Sequence, residues 1–269
     1  MPELPEVETV KRGLEEILGT KAVIKKIKVL NPKLRFPVPS EVSKLIKNAP
    51  IQKLSRRAKY LFFELDKYVL SSHLGMTGTW RIYADDRKKH DHVEIHLEDG
   101  RVLVYADPRK FGLFEFFKKS EDYHRLGHLG PEPLSDEFNS EYLWEKTRKK
   151  QVAIKNLIMN QEIVVGVGNI YASEALFLTG VRPTRKSGKI TKKECEELVI
   201  HIKSVLDKAI QAGGSTISDF KKAGGDAGYF QHSFKVYGRE KEACSVCSTT
   251  IKNTTIGGRS SFWCPSCQK

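Results

Sequence analysis

The stretch Cys244-Ser-Val-Cys247 … Cys264-Pro-Ser-Cys267 decides the fold of the carboxyl-terminal part of this chain. Sixteen residues separate the two pairs, a spacing typical of a site in which four thiolates bind one zinc ion. The residues between the pairs are predicted to form a hairpin that brings the two Cys-x-x-Cys turns together. Because four thiolates leave no open coordination position, we expect one structural zinc ion per chain. A redox dithiol pair is the alternative.

The segment around these cysteines is basic. Residues 235–269 contain six Lys or Arg against two Glu. Arg259 lies in the predicted hairpin, in Ile256-Gly257-Gly258-Arg259-Ser260-Ser261, where it could reach a phosphate; read alone, it fits a solvated surface charge equally well. The fifth cysteine, Cys195, falls in a charged stretch and is predicted to be a small residue on a helix.

The whole chain shares this charge. Its 269 residues carry 46 Lys and Arg against 33 Asp and Glu, a net charge of +13 and a pI near 9.4. Such an excess predicts a polyanionic partner, although charge alone does not separate DNA from RNA or an acidic membrane. No apolar run approaches the ~20 residues that span a bilayer, and the first residues have no signal-peptide pattern. We therefore expect a soluble, cytoplasmic protein that does not bind membranes.

Upstream of the hairpin the hydrophobic pattern changes twice. Apolar residues at helical spacing predict a helix from about Pro5 to Leu18. Short β-branched and aromatic runs follow and predict a β-sandwich with the helix packed near one end. The predicted strands are Val23 to Leu30, Tyr60 to Leu65, Tyr68 to Ser72, Val93 to Leu97, Val102 to Tyr105 and Leu113 to Phe117.

Beyond Gly130-Pro-Glu-Pro-Leu-Ser135, which predicts a domain boundary, the pattern becomes helical. The predicted helices are Glu141 to Lys149, Val152 to Asn160, Asn169 to Phe177 and Lys192 to Ala212, the last ended by Gly213-Gly214. The glycine-rich segment 223–228 predicts a mobile loop. The fold class is therefore α+β: an amino-terminal β-sandwich, a helical module and a zinc hairpin.

A glycine-rich turn, Gly166-Val-Gly168-Asn169, leads into the third of these helices. Free backbone N–H groups at a helix amino terminus attract anions, and the Asn169 amide could add a donor. A simple tight turn would look the same.

The amino terminus, Met1-Pro2-Glu3-Leu4-Pro5-Glu6, suggests a chemistry. Removal of Met1 would leave Pro2 with a free secondary amine, and an α-amino group titrates near ~8. Such an amine can attack a sugar carbon and form an iminium ion, with Glu3 beside it as proton donor. The alternative is that the two prolines only open a helix.

Six motifs carry a resemblance that spans the whole chain. They are Pro2-Glu-Leu-Pro-Glu-Val-Glu-Thr9, Arg56-Arg-Ala-Lys59-Tyr-Leu61, His73-Leu-Gly-Met76, Asp107-Pro-Arg109-Lys-Phe111-Gly112, Gly166-Val-Gly-Asn169-Ile-Tyr171 and the four-cysteine hairpin with Arg259. In this order they resemble the bacterial formamidopyrimidine-DNA glycosylases. The resemblance implies a monomeric, bifunctional glycosylase and AP lyase of base excision repair. Such an enzyme excises oxidised purines (8-oxoguanine and formamidopyrimidines) from double-stranded DNA and cleaves the strand by β,δ-elimination.

The resemblance also divides the chain. It implies a catalytic β-sandwich domain at 1–133, a linker with a connecting helix at 134–150, a helix-two-turns-helix DNA-binding domain with a lesion-capping loop at 151–234, and a zinc finger at 235–269.

The resemblance assigns roles to individual residues. Pro2 would attack C1′, expel the base and form a Schiff base, Glu3 would move protons, and Lys59 is placed with the catalytic residues as well as on a phosphate. Glu6 would orient the site. Phosphates would be held by Lys59, His73, Asn169 and Arg259, Lys155 would also bind DNA, and Met76, Arg109 and Phe111 would fill the gap left by the flipped nucleotide. Arg109 would read the orphaned cytosine.

Two departures concern the lesion-capping loop. The family often has Gly-Lys-Pro-Gly where this chain has Gly225-Asp226-Ala227-Gly228, and Ser218 replaces a common lysine. The preference for a damaged base is therefore less determined than the chemistry. The nearest alternative is an endonuclease VIII-like enzyme for oxidised pyrimidines, although Leu4 occupies the position where that enzyme has glycine. A non-catalytic zinc-finger DNA-binding protein is the alternative from another class.

Overall fold

The computed structural model describes residues 2–83, 87–215 and 230–269. These residues divide into two compact units. The first unit contains the described residues up to Gly127 together with 213–215, and the second contains His128–Ala212 and Phe230–Lys269. Positions 218, 226 and 227 of the predicted lesion-capping loop lie outside the described residues, so that prediction stays untested.

Helix α1 spans Leu4–Leu18 and opens the first unit. Leu4, Val7, Val10, Leu14 and Leu18 recur at helical spacing, and all five are buried. A capping box between Glu3 and Glu6 starts the helix. The helix ends at a glycine with φ of 64°, a backbone conformation that glycine adopts without strain. The predicted helix is confirmed.

Two antiparallel sheets follow α1, and a short helix, α2 (Val42–Leu45), lies between their first strands. The five-stranded sheet has the order β2-β1-β7-β8-β6 and the four-stranded sheet the order β3-β4-β5-β9. The strands are β1 Val23–Val29, β2 Lys47–Pro50, β3 Lys53–Arg57, β4 Tyr60–Glu64, β5 Tyr68–His73, β6 Thr79–Ile82, β7 Asp91–Leu97, β8 Val102–Ala106 and β9 Leu113–Lys118. All six predicted strands are confirmed, whereas α2, β2, β3 and β6 were not predicted.

The inner faces of both sheets share one hydrophobic core with α1. Ile95 and Tyr105 come from the five-stranded sheet, Phe63 and Phe114 from the four-stranded sheet, and Leu14 from the helix; all five have no exposed surface. Buried and exposed residues alternate along a strand only where one of its two faces meets solvent. This arrangement confirms the predicted β-sandwich with a packed helix.

The second unit contains four helices and a hairpin. The helices are α3 Ser140–Thr147, α4 Ile154–Met159, α5 Asn169–Leu178 and α6 Lys192–Gln211, each within two residues of its predicted ends. Thr191 and Glu194 form a capping box at the start of α6. Cys195 is fully buried on α6 in the core of this unit, as predicted. Within the described ranges, no helix is long and apolar enough to cross a membrane.

Strands β10 (Lys252–Ile256) and β11 (Arg259–Trp263) form the predicted carboxyl-terminal hairpin. Ile256 pairs with Arg259, which leaves a turn of two residues. Those residues, Gly257 and Gly258, have φ of 56° and 72°. A two-residue turn with both φ values positive matches the twist of the strands and strongly favours glycine. The glycine pair therefore fixes the position of Arg259 at the start of β11.

Candidate active site and nucleic-acid interface

The amino-terminal residues form a buried cluster of carboxylates in the first unit. Pro2 is buried, and Glu3 and Glu6 are each only 3% exposed. The backbone N–H of Glu3 donates to Glu6 Oε2 at 2.9 Å. Since Glu3 is the residue before the helix and Glu6 lies in its first turn, the helix itself sets the geometry of the cluster. The capping box also holds the Glu3 side chain on the backbone N–H of Glu6.

Glu6 has a second partner far away in the sequence. Its Oε1 accepts hydrogen bonds from the backbone N–H and the hydroxyl of Ser215, both at 2.9 Å. A side chain at Gly214, where φ is 77°, would approach Glu6 Oε1 to 3.2 Å. Glu6 therefore fastens the chain at residues 214–215 to the amino terminus, a link that the sequence did not reveal.

Lys59 and His73 lie close together at one end of the four-stranded sheet. Lys59 is in the two-residue turn between β3 and β4, after Ala58 with φ of 54°, and is 6% exposed. Tyr60 of β4 pairs with His73 at the end of β5, with ring centroids 4.9 Å apart. The structure thus brings these two predicted phosphate ligands together.

The predicted phosphate ligand His73 is an uncharged side chain at neutral pH. Burial, helped by the nearby positive charge of Lys59, lowers the pKa of His73 to about 4. Its Nδ1 accepts the backbone N–H of Gly75 at 3.0 Å, so the ring proton of the neutral imidazole lies on Nε2. His73 can therefore donate one neutral hydrogen bond, but it brings no positive charge at neutral pH.

Three predicted gap-filling side chains lie on two loops of the first unit. Met76 follows β5, whereas Arg109 and Phe111 follow β8. Met76 and Phe111 are large apolar side chains that are 37% and 46% exposed. The Arg109 guanidinium lies 4.9 Å from the Phe111 ring centroid, within the range of a cation–π contact. Exposed apolar side chains on adjacent loops fit insertion into a stack of bases better than a place in the core.

In the second unit, Lys155 has no exposed surface. Its ammonium donates to Asn169 Oδ1 at 2.6 Å, Ser261 Oγ at 2.7 Å and Ser260 O at 3.2 Å. A buried ammonium that is hydrogen-bonded to these oxygens holds its neighbours in place. The DNA contact expected of Lys155 stays a prediction. The structure indicates that Lys155 positions other residues.

Lys155 joins the two remaining predicted phosphate ligands. Asn169 is the first residue of α5, and its Nδ2 donates to Ser260 O at 2.9 Å. Ser260 follows Arg259, whose side chain is exposed. The amino terminus of α5 and the tip of the hairpin are therefore held side by side, with a helix-end amide and a guanidinium on one surface of the second unit.

Glu174 also lies in α5, and no local sequence pattern indicates its role. Its carboxylate accepts the backbone N–H groups of Lys235, Val236 and Tyr237 at 2.7 to 3.0 Å. Burial raises its pKa, against the effect of these donors. Glu174 thus anchors the chain where it continues into the zinc hairpin.

Four thiols of the second unit can hold one metal ion. The sulfur atoms of Cys244, Cys247, Cys264 and Cys267 all lie within 4.8 Å of one another. The Cys247–Cys264 and Cys247–Cys267 sulfurs are 3.4 Å apart, and the Cys244–Cys267 sulfurs 3.9 Å. Four sulfurs about 2.3 Å from a tetrahedral zinc ion would be about 3.8 Å apart. The four thiols fit a structural zinc ion, as predicted.

These features define a class of protein: a nucleic-acid-processing enzyme with a buried pair of carboxylates at the amino terminus of a β-sandwich domain and a helical module with a four-cysteine metal site. Three families of known domains match the chain. Residues 1–114 match the formamidopyrimidine-DNA glycosylase N-terminal domain. Residues 129–221 match the formamidopyrimidine-DNA glycosylase H2TH domain, and residues 241–269 match the zinc finger found in FPG and IleRS.

Full-length relatives agree. The chain is 48% identical to a formamidopyrimidine-DNA glycosylase of Bdellovibrio bacteriovorus and 47% identical to one of Pasteurella multocida, with 100% of each chain covered. A solved complex of a Lactococcus lactis FPG variant with Fapy-dG-containing DNA has a TM-score of 0.91 at 35% identity and full coverage of both chains. A complex of the Lactococcus lactis Fpg with abasic-site DNA gives the same TM-score and identity over 99% of each chain.

The chain belongs to the formamidopyrimidine-DNA glycosylase family. It is a DNA glycosylase and AP lyase of base excision repair that carries a zinc finger. The alternative of a non-catalytic DNA-binding protein is therefore wrong.

Proposed function

We propose that this enzyme excises oxidised purines from double-stranded DNA and cleaves the strand by β,δ-elimination, with Pro2 as nucleophile. The observation that carries the proposal is the buried Pro2–Glu3 pair, whose carboxylate is held by the start of α1. Its relatives act in bacteria, and we place this enzyme with the chromosomal DNA in the cytoplasm.

The chemistry follows from the amine. Once Met1 is removed, the Pro2 nitrogen attacks C1′ of the damaged nucleoside, and the bond between C1′ and the base breaks with the electrons leaving on the base. The Glu3 carboxylate takes the N–H proton of Pro2 and passes it to the sugar ring oxygen as the ring opens and the iminium ion forms. The iminium ion makes the C2′ proton acidic, so its removal expels the 3′-phosphate, and a second elimination, with loss of the C4′ proton, expels the 5′-phosphate. Water then hydrolyses the iminium ion and releases Pro2. No step requires a metal ion, because the Pro2 amine supplies the nucleophile and Glu3 moves the proton. The four cysteines would hold zinc as a structural ion.

Each unit supplies DNA contacts in this proposal. Lys59 provides a charge and His73 a neutral N–H from the first unit. Asn169 and Arg259 provide an amide and a guanidinium from the second. Met76 and Phe111 fill the gap in the stack, and Arg109 reads the edge of the unpaired base with its fork of donors.

The test of the nucleophile uses borohydride trapping on a duplex that contains one 8-oxoguanine opposite cytosine. Pro2→Gly, or retention of Met1, should abolish both excision and the trapped adduct and leave DNA binding intact. Glu3→Gln should block excision, because an amide donates no proton. Glu15→Gln is the matched control, since Glu15 is an exposed carboxylate on the same helix. Full activity with Met1 attached would contradict the mechanism.

The lesion preference is tested with the same enzyme on duplexes that carry a formamidopyrimidine, an 8-oxoguanine or an oxidised pyrimidine. The Lactococcus lactis enzyme has been crystallised with DNA containing an oxidised pyrimidine, so the pyrimidine belongs in the comparison. Faster excision of the two purines supports the proposal. Faster excision of the pyrimidine supports the endonuclease VIII-like alternative.

A further inference from the structure

Asp107 lies beneath the loop that carries Arg109 and Phe111. It has no exposed surface. Its Oδ2 accepts the backbone N–H of Gly112 at 2.7 Å, and its Oδ1 accepts the backbone N–H of Arg109 at 3.2 Å. One carboxylate therefore binds the loop at both ends, in the manner of an Asx turn.

The same carboxylate reaches the loop that carries Met76. Thr77 donates its hydroxyl proton to Asp107 Oδ1 at 2.5 Å. Thr77 Oγ1 also accepts from the Arg109 N–H at 3.2 Å. Thr77, the residue after Met76, is thus connected to the backbone of Arg109 both directly and through Asp107, and every donor in these bonds is uncharged.

Close packing fixes the two loops against each other. A side chain at Gly75 would approach the backbone of Phe111 and Gly112 to 2.4 Å. A side chain at Gly112 would come within 1.8 Å of the Tyr105 hydroxyl, which donates to His73 O at 3.0 Å. Only glycine at these two positions allows the loops to approach so closely.

Asp107 is itself fixed to the sandwich. Its backbone N–H donates to His90 O at 3.0 Å, and its carbonyl oxygen lies 3.1 Å from His92 Nε2. The Asp107 carboxylate therefore extends from the fixed end of β8. The side chains of Met76, Arg109 and Phe111 lie on the two loops and are exposed to solvent.

We propose that Asp107 and Thr77 are positioning residues that hold Met76, Arg109 and Phe111 as one preorganised unit and so determine selectivity for the base opposite the lesion. This inference rests on the proposed role of Arg109 as the reader of that base. A guanidinium discriminates between base edges only when its backbone is held in a fixed place, because a mobile loop would reach donors and acceptors of either base.

A matched pair of variants tests the role of the hydroxyl. Thr77→Val keeps the shape of the side chain and removes the hydroxyl, whereas Thr77→Ser keeps the hydroxyl. The measurement is the ratio of single-turnover excision rates of 8-oxoguanine opposite cytosine and opposite adenine. Thr77→Val should lower this ratio about tenfold, the effect of a lost hydrogen bond to a charged group. Thr77→Ser should restore it to within about twofold of the unmodified enzyme, a rescue that a loss of packing alone would not give.

Asp107→Asn is the second variant, because its amide has the size of the carboxylate but turns one acceptor into a donor. It should lower the same ratio, while borohydride trapping at a preformed abasic site is unchanged. Arg109→Ala provides the comparison. A lowered ratio in Arg109→Ala with unchanged ratios in Thr77→Val and Asp107→Asn would refute the positioning role alone. An unchanged ratio in Arg109→Ala would refute both the reading role and the inference built on it.

Discussion

Replacement of His73 should weaken DNA binding without changing its salt dependence. With a pKa of about 4, only about one His73 ring in a thousand is protonated at pH 7. A neutral N–H donor to a phosphate releases no counterion. A lysine contact does, so each one adds about 0.9 to the slope of log K against log salt.

The magnitudes separate the two cases. Loss of a hydrogen bond to a charged phosphate costs about 1.5–3 kcal/mol, so His73→Ala should weaken binding by about ten- to a hundredfold at every salt concentration. Lys59→Ala should lose more DNA affinity at low salt than at high salt. Its deficit relative to the unmodified enzyme should shrink by about 3.5-fold between 50 and 200 mM salt, which is a fourfold change raised to the power 0.9.

The assay is fluorescence anisotropy with a duplex that contains a non-cleavable abasic-site analogue. It is carried out in a Glu3→Gln background across a salt series at pH 7.5. Lys59→Arg serves as the charge-preserving control and should keep the slope. A slope lowered by about 0.9 in His73→Ala would show that His73 binds DNA as a cation and would refute the reasoning.

The pH dependence of stability and of DNA affinity also tests whether His73 is neutral. Because folding lowers the pKa of His73 below its ordinary value of 6.5, the folded state disfavours the proton. The resulting stabilisation is fully present above pH 6.5 and is lost as the pH falls towards 4. DNA affinity should therefore show no rise assignable to His73 as the pH falls from 8 to 6. Such a rise in the unmodified enzyme, absent in His73→Ala, would contradict the neutral assignment.

Three further predictions concern residues that hold the two units in shape. Metal analysis should find one zinc ion per chain, and Cys247→Ser should lower both the zinc content and DNA affinity; active protein without zinc would contradict this. Glu6→Gln should reduce the single-turnover excision rate by a factor about ten times larger, or more, than the factor for Ser215→Ala. The reason is that Glu6→Gln disturbs the amino terminus as well as residue 215. Equal reductions in the two variants would contradict this prediction. Lys155→Met should destabilise the second unit by about 2–4 kcal/mol, since the oxygens around its ammonium lose their donor. Denaturant unfolding measures it, and an unchanged midpoint would contradict it.

The sequence alone determined the elements whose signal is local. Helices α1 and α6 have long apolar periods and clear capping residues, so their ends were predicted to within a residue or two. The zinc ligands were equally local, because two Cys-x-x-Cys turns carry their own geometry. Strands β2 and β3 were not predicted: Lys47–Pro50 has only four residues and ends in proline, and Lys53–Arg57 has three cations among five residues. They are strands because neighbouring strands supply their hydrogen bonds, which no local pattern records.

Only the tertiary structure decided the chemical state of individual residues. The sequence suggests that the Lys155 ammonium binds DNA. In the folded protein this ammonium is buried and donates to oxygens of the hairpin, about 100 positions later in the sequence. The sequence suggests a positively charged His73, yet burial in the folded protein lowers its pKa and keeps the ring neutral. Asp107 belongs to one of the six motifs, but only folding brings the hydroxyl of Thr77, 30 positions earlier, onto its carboxylate. Charge and hydrogen bonding depend on neighbours in space, and folding brings together residues that the sequence keeps far apart.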